Sequence, residues 1–285
     1  MVEGETTENK TENKKIGNNL SGCKKMSEKL LIKDVMSKPV TIAKSAVITE
    51  ALDKMLDLGV DPLIVTNNGG VAGTISRKAI ADILGSKKTS VLSPTQIHVA
   101  NKLDTEFTSA YPDQDAEILI PLLQKYKVVV VLNEDHKLVG KVDATDLLSV
   151  MLPEASIEKL MQNPHTIHPG DRVVHLRRKM MESDVTKFVV IDEETGDIAG
   201  VVTETDFAKS MRSFRENVDG KHQEHQVRNL FVREIMTSPA ITVDVSAGPG
   251  DIRELIIKKR ISSVPVLKGG KLAGVISKDT LLVAL

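Results

Sequence analysis

Short Val/Ile-rich runs broken by Gly, Asn and Asp alternate with stretches whose apolar residues recur at helical spacing, and the alternation repeats four times. LIVTNNGGVAG (Leu63–Gly73), VVVVLNEDHKLVG (Val128–Gly140), FVVIDEETGDIAG (Phe188–Gly200) and VPVLKGGKLAG (Val264–Gly274) each set turn residues between two apolar runs. That pattern predicts four β-hairpins. Ahead of the first, ITEALDKMLDLG puts Ile48, Leu52, Met55 and Leu56 on one helical face; DIRELIIKKR does the same with Ile252, Leu255 and Ile256. Three copies open with Met-x-x-Pro and an extended stretch, in VMSKPVTI, LMQNPHTI and IMTSPAITV; copy two lacks this opening. With a second helix predicted after each hairpin, the unit is β-α-β-β-α in about 55–60 residues. A unit this small buries too little to stand comfortably alone. The copies are therefore expected to pair, one with two and three with four, giving an α/β (α+β) fold of two modules. The expected domains are 29–88, 95–152, 155–213 and 229–285, after a tail at 1–28.

The tail, rich in Glu, Lys, Asn and Thr, cannot bury enough surface to offset its ordering entropy, which predicts disorder. For the rest, 41% hydrophobic and 27% charged residues read as globular. Aromatics at 2% leave Val, Ile, Leu and Met to build the core and remove stacking as a main binding device. A net charge of −1 with mixed signs lacks the basic footprint of a nucleic-acid binder. No apolar run approaches the roughly 18–20 residues of a membrane span, and Cys23 is the single cysteine. A cytoplasmic setting without disulfides is the expectation. His222 and His225 in KHQEH have no clear third ligand, so no metal is predicted.

Each hairpin runs into a seven-residue stretch: GTISRKA (Gly73–Ala79), GKVDATD (Gly140–Asp146), GVVTETD (Gly200–Asp206) and GVISKDT (Gly274–Thr280). Copy three alone joins a hydroxyl at position four, Thr203, to a carboxylate at position seven, Asp206. A strand that ends at Val202 and hands over to a helix exposes unpaired N–H groups, which attract an anion such as a phosphate. Asp206, acceptor-only when ionised, suits the paired hydroxyls of a ribose. The same pattern is a capping box that only stabilises a helix start. Copy two keeps Asp146 but sets Asp143 where a phosphate would approach. Copies one and four keep Ser76 and Ser277 but carry Ala79 and Thr280, with Asp279 one residue early.

Paired β-α-β-β-α units with a Met-x-x-Pro opening and a Gly-h-h-Ser/Thr-x-x-Asp exit resemble cystathionine-beta-synthase (CBS) domains, here four, over about Leu30 to Leu285. Four tandem copies with little else resemble the gamma subunit of AMP-activated protein kinase and stand-alone prokaryotic CBS-domain proteins. The resemblance implies regulatory, non-enzymatic binding of an adenine nucleotide (AMP, ADP or ATP, with S-adenosylmethionine less favoured) in clefts between paired domains. It places the ribose on Asp206 and the phosphate near Thr203, and a basic residue before the central strand at Lys187, or at Lys127 in copy two. By the same analogy Thr166, Ile167 and His168 line the adenine side, mostly through backbone groups, with Thr186 and Val202 also ligand-binding and Asp146 as a second ribose carboxylate. Arg260 could reach the cleft of copy three, and His165 could meet a phosphate. The polar connector near 210–230 suits modules that move or receive a regulated partner; a homodimer is compatible. A scaffold in which the motifs are only caps is the competing reading. An enzyme lacks any nucleophile–base pair, metal cluster or Walker loop to carry it.

Overall fold

The computed structural model describes residues 29–84, 94–217 and 229–285. The predicted tail (1–28), His222, His225 and the middle of the connector lie outside the described residues. Four sheets of three strands form, one per copy, each with a short first strand parallel to a central strand and a third strand antiparallel to it. In copy one these are β1 (Thr41–Ala43), β2 (Leu63–Asn67) and β3 (Gly70–Ile75); in copy two, β4 (Thr108–Ala110), β5 (Val128–Leu132) and β6 (Leu138–Asp143). Copy three has β7 (Thr166–Ile167), β8 (Lys187–Ile191) and β9 (Ile198–Thr203); copy four has β10 (Val243–Asp244), β11 (Ser263–Lys268) and β12 (Lys271–Ser277). The register slips at one place in every hairpin: Val65/Thr66, Val131/Leu132, Val190/Ile191 and Val266/Leu267. One bulge repeated four times shows that the copies share backbone geometry as well as pattern.

Short helices α1 (Ile32–Val35), α6 (Ile157–Leu160) and α9 (Val232–Ile235) precede the Met-x-x-Pro segments. The first long helix of each copy is α2 (Ile48–Leu58), α4 (Leu119–Lys125), α7 (Val173–Ser183) or α10 (Pro249–Lys259). The second is α3 (Arg77–Leu84), α5 (Ala144–Val150), α8 (Glu204–Asn217) or α11 (Lys278–Leu282).

The glycines that open the seven-residue stretches explain how the copies pair. A Cβ on Gly140 would stand 2.7 Å from Met36 Sδ, and one on Gly200 would stand 2.7 Å from the Thr237 carbonyl and 3.1 Å from Met236 Sδ. On Gly274 it would meet Met161 Cβ at 3.0 Å. The methionine of each Met-x-x-Pro segment thus lies on the glycine of the partner copy, where only a residue without a side chain leaves room. Copy two lacks that methionine, and there the Asp104 carbonyl and Leu103 press on Gly73. Backbone bridges Ser37↔Lys141, Thr74↔Asp104, Gln162↔Val275 and Val201↔Thr237 complete the pairing of one with two and three with four.

The second helices join the modules, copy one to copy three and copy two to copy four. Arg177 donates to the Ala81 carbonyl at 3.1 Å, and its counterpart Arg253 donates to the carbonyls of Leu148 and Ser149. Each arginine satisfies carbonyls late in a helix of the other module, where a cation is favoured. Cores cross the same boundary: Ala208 of copy three enters the core of copy one, Leu282 of copy four that of copy two, and Leu148 of copy two that of copy four.

Candidate functional site

Because the copies cross, the seven-residue stretches of copies two, three and four face the Met-x-x-Pro segments of their partners, and that of copy one faces Leu103 and Asp104. Thr203 ends β9 and Asp206 lies in the first turn of α8. Asp206 Oδ2 accepts from the Thr203 N–H at 2.8 Å and from its hydroxyl at 2.7 Å. Its other oxygen lies 3.5 Å from the hydroxyl of Thr237, which belongs to copy four. The carboxylate therefore caps the helix start and reaches the cleft between copies three and four, with no cation paired to it among the described residues. Lys187 is the register partner of Thr203, directly across from it on β8. Its ammonium makes a loose 3.4 Å contact with Asp279, whose side chain is 82% exposed, so this charge is weakly held.

The matching cleft of the other module holds a cavity lined by Val40, Val60 and Pro62 of copy one and Val128, Lys141 and Asp143 of copy two. Here one lysine already serves two aspartates. Lys141 pairs with Asp143 and, at 2.8 Å, with Asp146. Asp146 Oδ2 also accepts from the Asp143 N–H at 2.9 Å and the Ser37 hydroxyl at 3.1 Å. Burial lowers the Lys141 pKa, but the two carboxylates outweigh it and hold the ammonium above its ordinary value. Burial likewise pushes Asp143 up, and Lys141 overrides this to leave it below its ordinary value. Asp146 goes the other way: burial and then the Asp143 charge raise it.

Copies one and four are caps. Ser277 and Thr280 are buried and bond each other, with Ser277 N–H to Thr280 Oγ1 at 2.8 Å and Thr280 N–H to Ser277 Oγ at 3.3 Å. Ser76 Oγ accepts from the Ala79 N–H at 3.2 Å.

Of the residues expected in one site, the structure brings together Thr203, Asp206 and Lys187 and separates the others. Ile167 and Val202 are fully buried in the core of copy three. Thr166 is exposed and pairs with Val189 in the middle of the sheet. His168 follows β7 at the Ile191 end of β8, its Nδ1 3.0 Å from the Ile191 carbonyl. That is four residues from Lys187, or about 13 Å at the rise of a strand, so His168 does not share a cleft end with Asp206. Asp146 sits in the other module. Lys127 is not the counterpart of Lys187. Lys187 opposes Thr203 as Val128 opposes Asp143, which puts Lys127 level with Thr186, and its charge acts on Asp184 and Glu204. The Thr186 carbonyl accepts from the Glu204 N–H at 2.9 Å. His165 packs its ring against Phe188. Thr237 was missed because it comes from a segment 31 residues away in another copy. The signal was present: the residue after the methionine is Ser37 or Thr237 opposite the copies that keep an aspartate, and Gln162 opposite the copy that has Thr280.

No group of three or more His, Cys, Asp or Glu that could hold a metal ion occurs among the described residues, and no helix there is long and apolar enough to cross a membrane.

The family described as CBS domain matches residues 32–86, 99–153, 157–213 and 232–285. An uncharacterized protein of Methanocaldococcus jannaschii is 26% identical over 259 residues, covering 87% of this chain and 60% of its own length. A second, from Methanopyrus kandleri, is 27% identical over 115 residues, 40% of this chain and 54% of that protein. The chain thus matches little more than half the length of these relatives. Among solved structures, a Methanocaldococcus jannaschii protein described as a candidate archaeal homolog of g-AMPK aligns with a TM-score of 0.75 at 21% identity, over 89% of this chain and 99% of that one. An uncharacterized conserved protein from Pyrococcus horikoshii aligns at 0.60 and 22% identity, over 90% of this chain and all of the other. At these identities the likeness is one of fold.

Proposed function

This chain belongs to the CBS-domain family, with four copies of the domain, and from that premise we propose that it is a regulatory protein that senses adenine nucleotides. The site is the cleft between copies three and four. Thr203 and Asp206 supply a hydroxyl and a carboxylate on one side, the segment at Thr237 forms the other, and Lys187 stands across the strand for a phosphate. The observation that carries the reading is the state of Asp206: it accepts only from neutral donors, whereas Asp146 is already neutralised by a lysine. A ribose diol can displace the weak 3.5 Å contact to Thr237 and take that oxygen while the cap on the other persists. Ligand binding between two copies biases their packing, and the contacts between second helices pass the bias to the other module, where a partner can read it. AMP, ADP or ATP fits this site. S-adenosylmethionine, lacking a phosphate for Lys187, is less favoured.

The capping bonds of Thr203 and Asp206 also support a second reading, in which the chain is a scaffold and the motif only holds α8 in place. Calorimetric titration with AMP, ADP, ATP and S-adenosylmethionine, on the native chain and on Asp206→Ala, separates the two. The sensor reading expects one nucleotide to bind and the variant to bind at least roughly tenfold more weakly. Absent binding, or equal binding by the variant, leaves the scaffold.

A further inference from the structure

The two interfaces between modules are related copy for copy, and only one is filled. Where copy two meets copy four, Leu148 is fully buried in the core of copy four, against Ile256 and Leu281. Leu148 lies five residues after Asp143, the fourth position of its stretch; five residues after the matching Ser76 comes Ala81. The arginine contacts confirm the match, since Arg253 bonds the Leu148 carbonyl and Arg177 the Ala81 carbonyl. Ala81 stays half-buried and does not enter the core of copy three, which among the described residues receives no buried residue from the other module, whereas the remaining three cores each receive one. What is left is a small cavity of about 40 Å³, open to solvent, between α3 and the helices α7 and α8.

Its walls are apolar where they meet a ligand's body: Ala81, Met180, Met181, Val185 and Phe207. Its charges are mostly occupied. Lys78 pairs with Asp184 at the rim. Arg177 bonds the Ala81 carbonyl and faces the Phe207 ring at 5.9 Å. Glu204 is the exception: it lines the cavity, and its Oε1 is buried without a hydrogen-bond partner. The guanidinium of Arg77 is turned to Asp61, with Nη2–Oδ2 at 3.4 Å, and its own buried Nε has no hydrogen-bond partner. An unpaired buried carboxylate is costly. A donor brought from outside removes that cost, and Asp82 on the lining adds to the attraction for positive charge.

We propose that this cavity is a second ligand site, separate from the nucleotide cleft, that takes a small organic cation: an ammonium or amidinium on a compact apolar body. The apolar part replaces the side chain that Ala81 does not supply, and the cationic N–H groups bond Glu204. Such a ligand bridges copy one to copy three and thus ties the modules together.

The test uses benzylammonium, with benzyl alcohol and benzoate as neutral and anionic counterparts of similar shape. Each is titrated into the full chain with isotope-labelled methionine methyls, so that Met180 and Met181 report the location. The expected result is shifts at these two methyls, with benzylammonium at least about tenfold tighter than benzyl alcohol and benzoate silent. Glu204→Gln should bring ammonium and alcohol to equal affinity, and Ala81→Leu should abolish both. Equal binding of ammonium and alcohol by the native chain, or no shift at Met180 and Met181, overturns the proposal. If Ala81→Leu fails to fold, the Glu204→Gln comparison decides it alone. Nucleotide titrations do not enter these outcomes, so the two sites stand or fall separately.

Discussion

The clefts at Asp146 and Asp206 share a frame and differ in where the lysine sits. In the first module Lys141 stands inside the cleft between two aspartates and Val128 faces it from the central strand. In the second, Val201 takes the place of Lys141, Thr203 that of Asp143, and the lysine moves to the strand position, as Lys187. Exchanging the two positions turns a closed triad of one lysine and two aspartates into a polar cleft with a weakly held cation at its edge. Fold alone is therefore a poor guide to competence: copies with one backbone geometry split into an occupied charge network and an open one.

The largest expected effect comes from breaking the closed cleft. Lys141→Met leaves Asp143 and Asp146 facing each other, largely buried, and should cost about 3–5 kcal/mol, read from denaturant unfolding. Adding Asp143→Thr should recover most of that loss, and adding Val128→Lys as well should give the cleft the pattern of the other module. A second nucleotide equivalent in calorimetry would follow; unchanged stoichiometry would show that charge pattern is not what separates the clefts.

Next in size is Asp206→Ala, with an expected loss of about 1.5–3 kcal/mol in nucleotide affinity, whereas Asp146→Ala should leave that affinity unchanged. Thr237→Val removes a long contact to the carboxylate that the ribose displaces, and should tighten nucleotide binding by no more than about 0.5 kcal/mol, a two- to threefold lower Kd in the same titration.

The smallest effect is one of pH. Burial, and then the Asp61 charge, raise the pKa of Glu204 above its ordinary 4.5, against the pull of Arg77, Lys127 and Lys78. Between the unfolded and folded values the folded chain holds the extra proton, so stability falls as pH rises through that window. Glu204→Gln should flatten this part of the profile of unfolding midpoint against pH. An unchanged slope would show that Glu204 has its ordinary pKa, and would remove the reason to expect an unpaired charge there.

Much of this was legible in the sequence, for reasons that particular residues show. Val/Ile runs around turns rich in Asn, Gly, Asp and Glu gave four hairpins at the predicted places, since strand pairing next to a short turn is local. Pairing of copies followed from their size. The grouping of Thr166, Ile167 and His168 with Asp206 took neighbours within a copy to be neighbours in a cleft. The register of β7 on β8 places His168 at the other end of the sheet, and the crossing of copies brings Thr237 in its stead. The supposed equivalence of Lys127 and Lys187 failed by a single residue, and in a strand one residue turns a side chain to the opposite face.

By itself, then, the sequence determined the elements, their fourfold repetition and which helix starts could be capped, because these depend on backbone preferences within a few residues. Only the tertiary structure decided which charges meet. Lys141 is neutralised by the aspartates of its own copy while Lys187 reaches a different one, and Ala81 leaves a cavity that Leu148 fills on the opposite side. Electrostatic and packing energies fall off over a few ångströms of space, not of chain, and the crossing of the copies sets those distances.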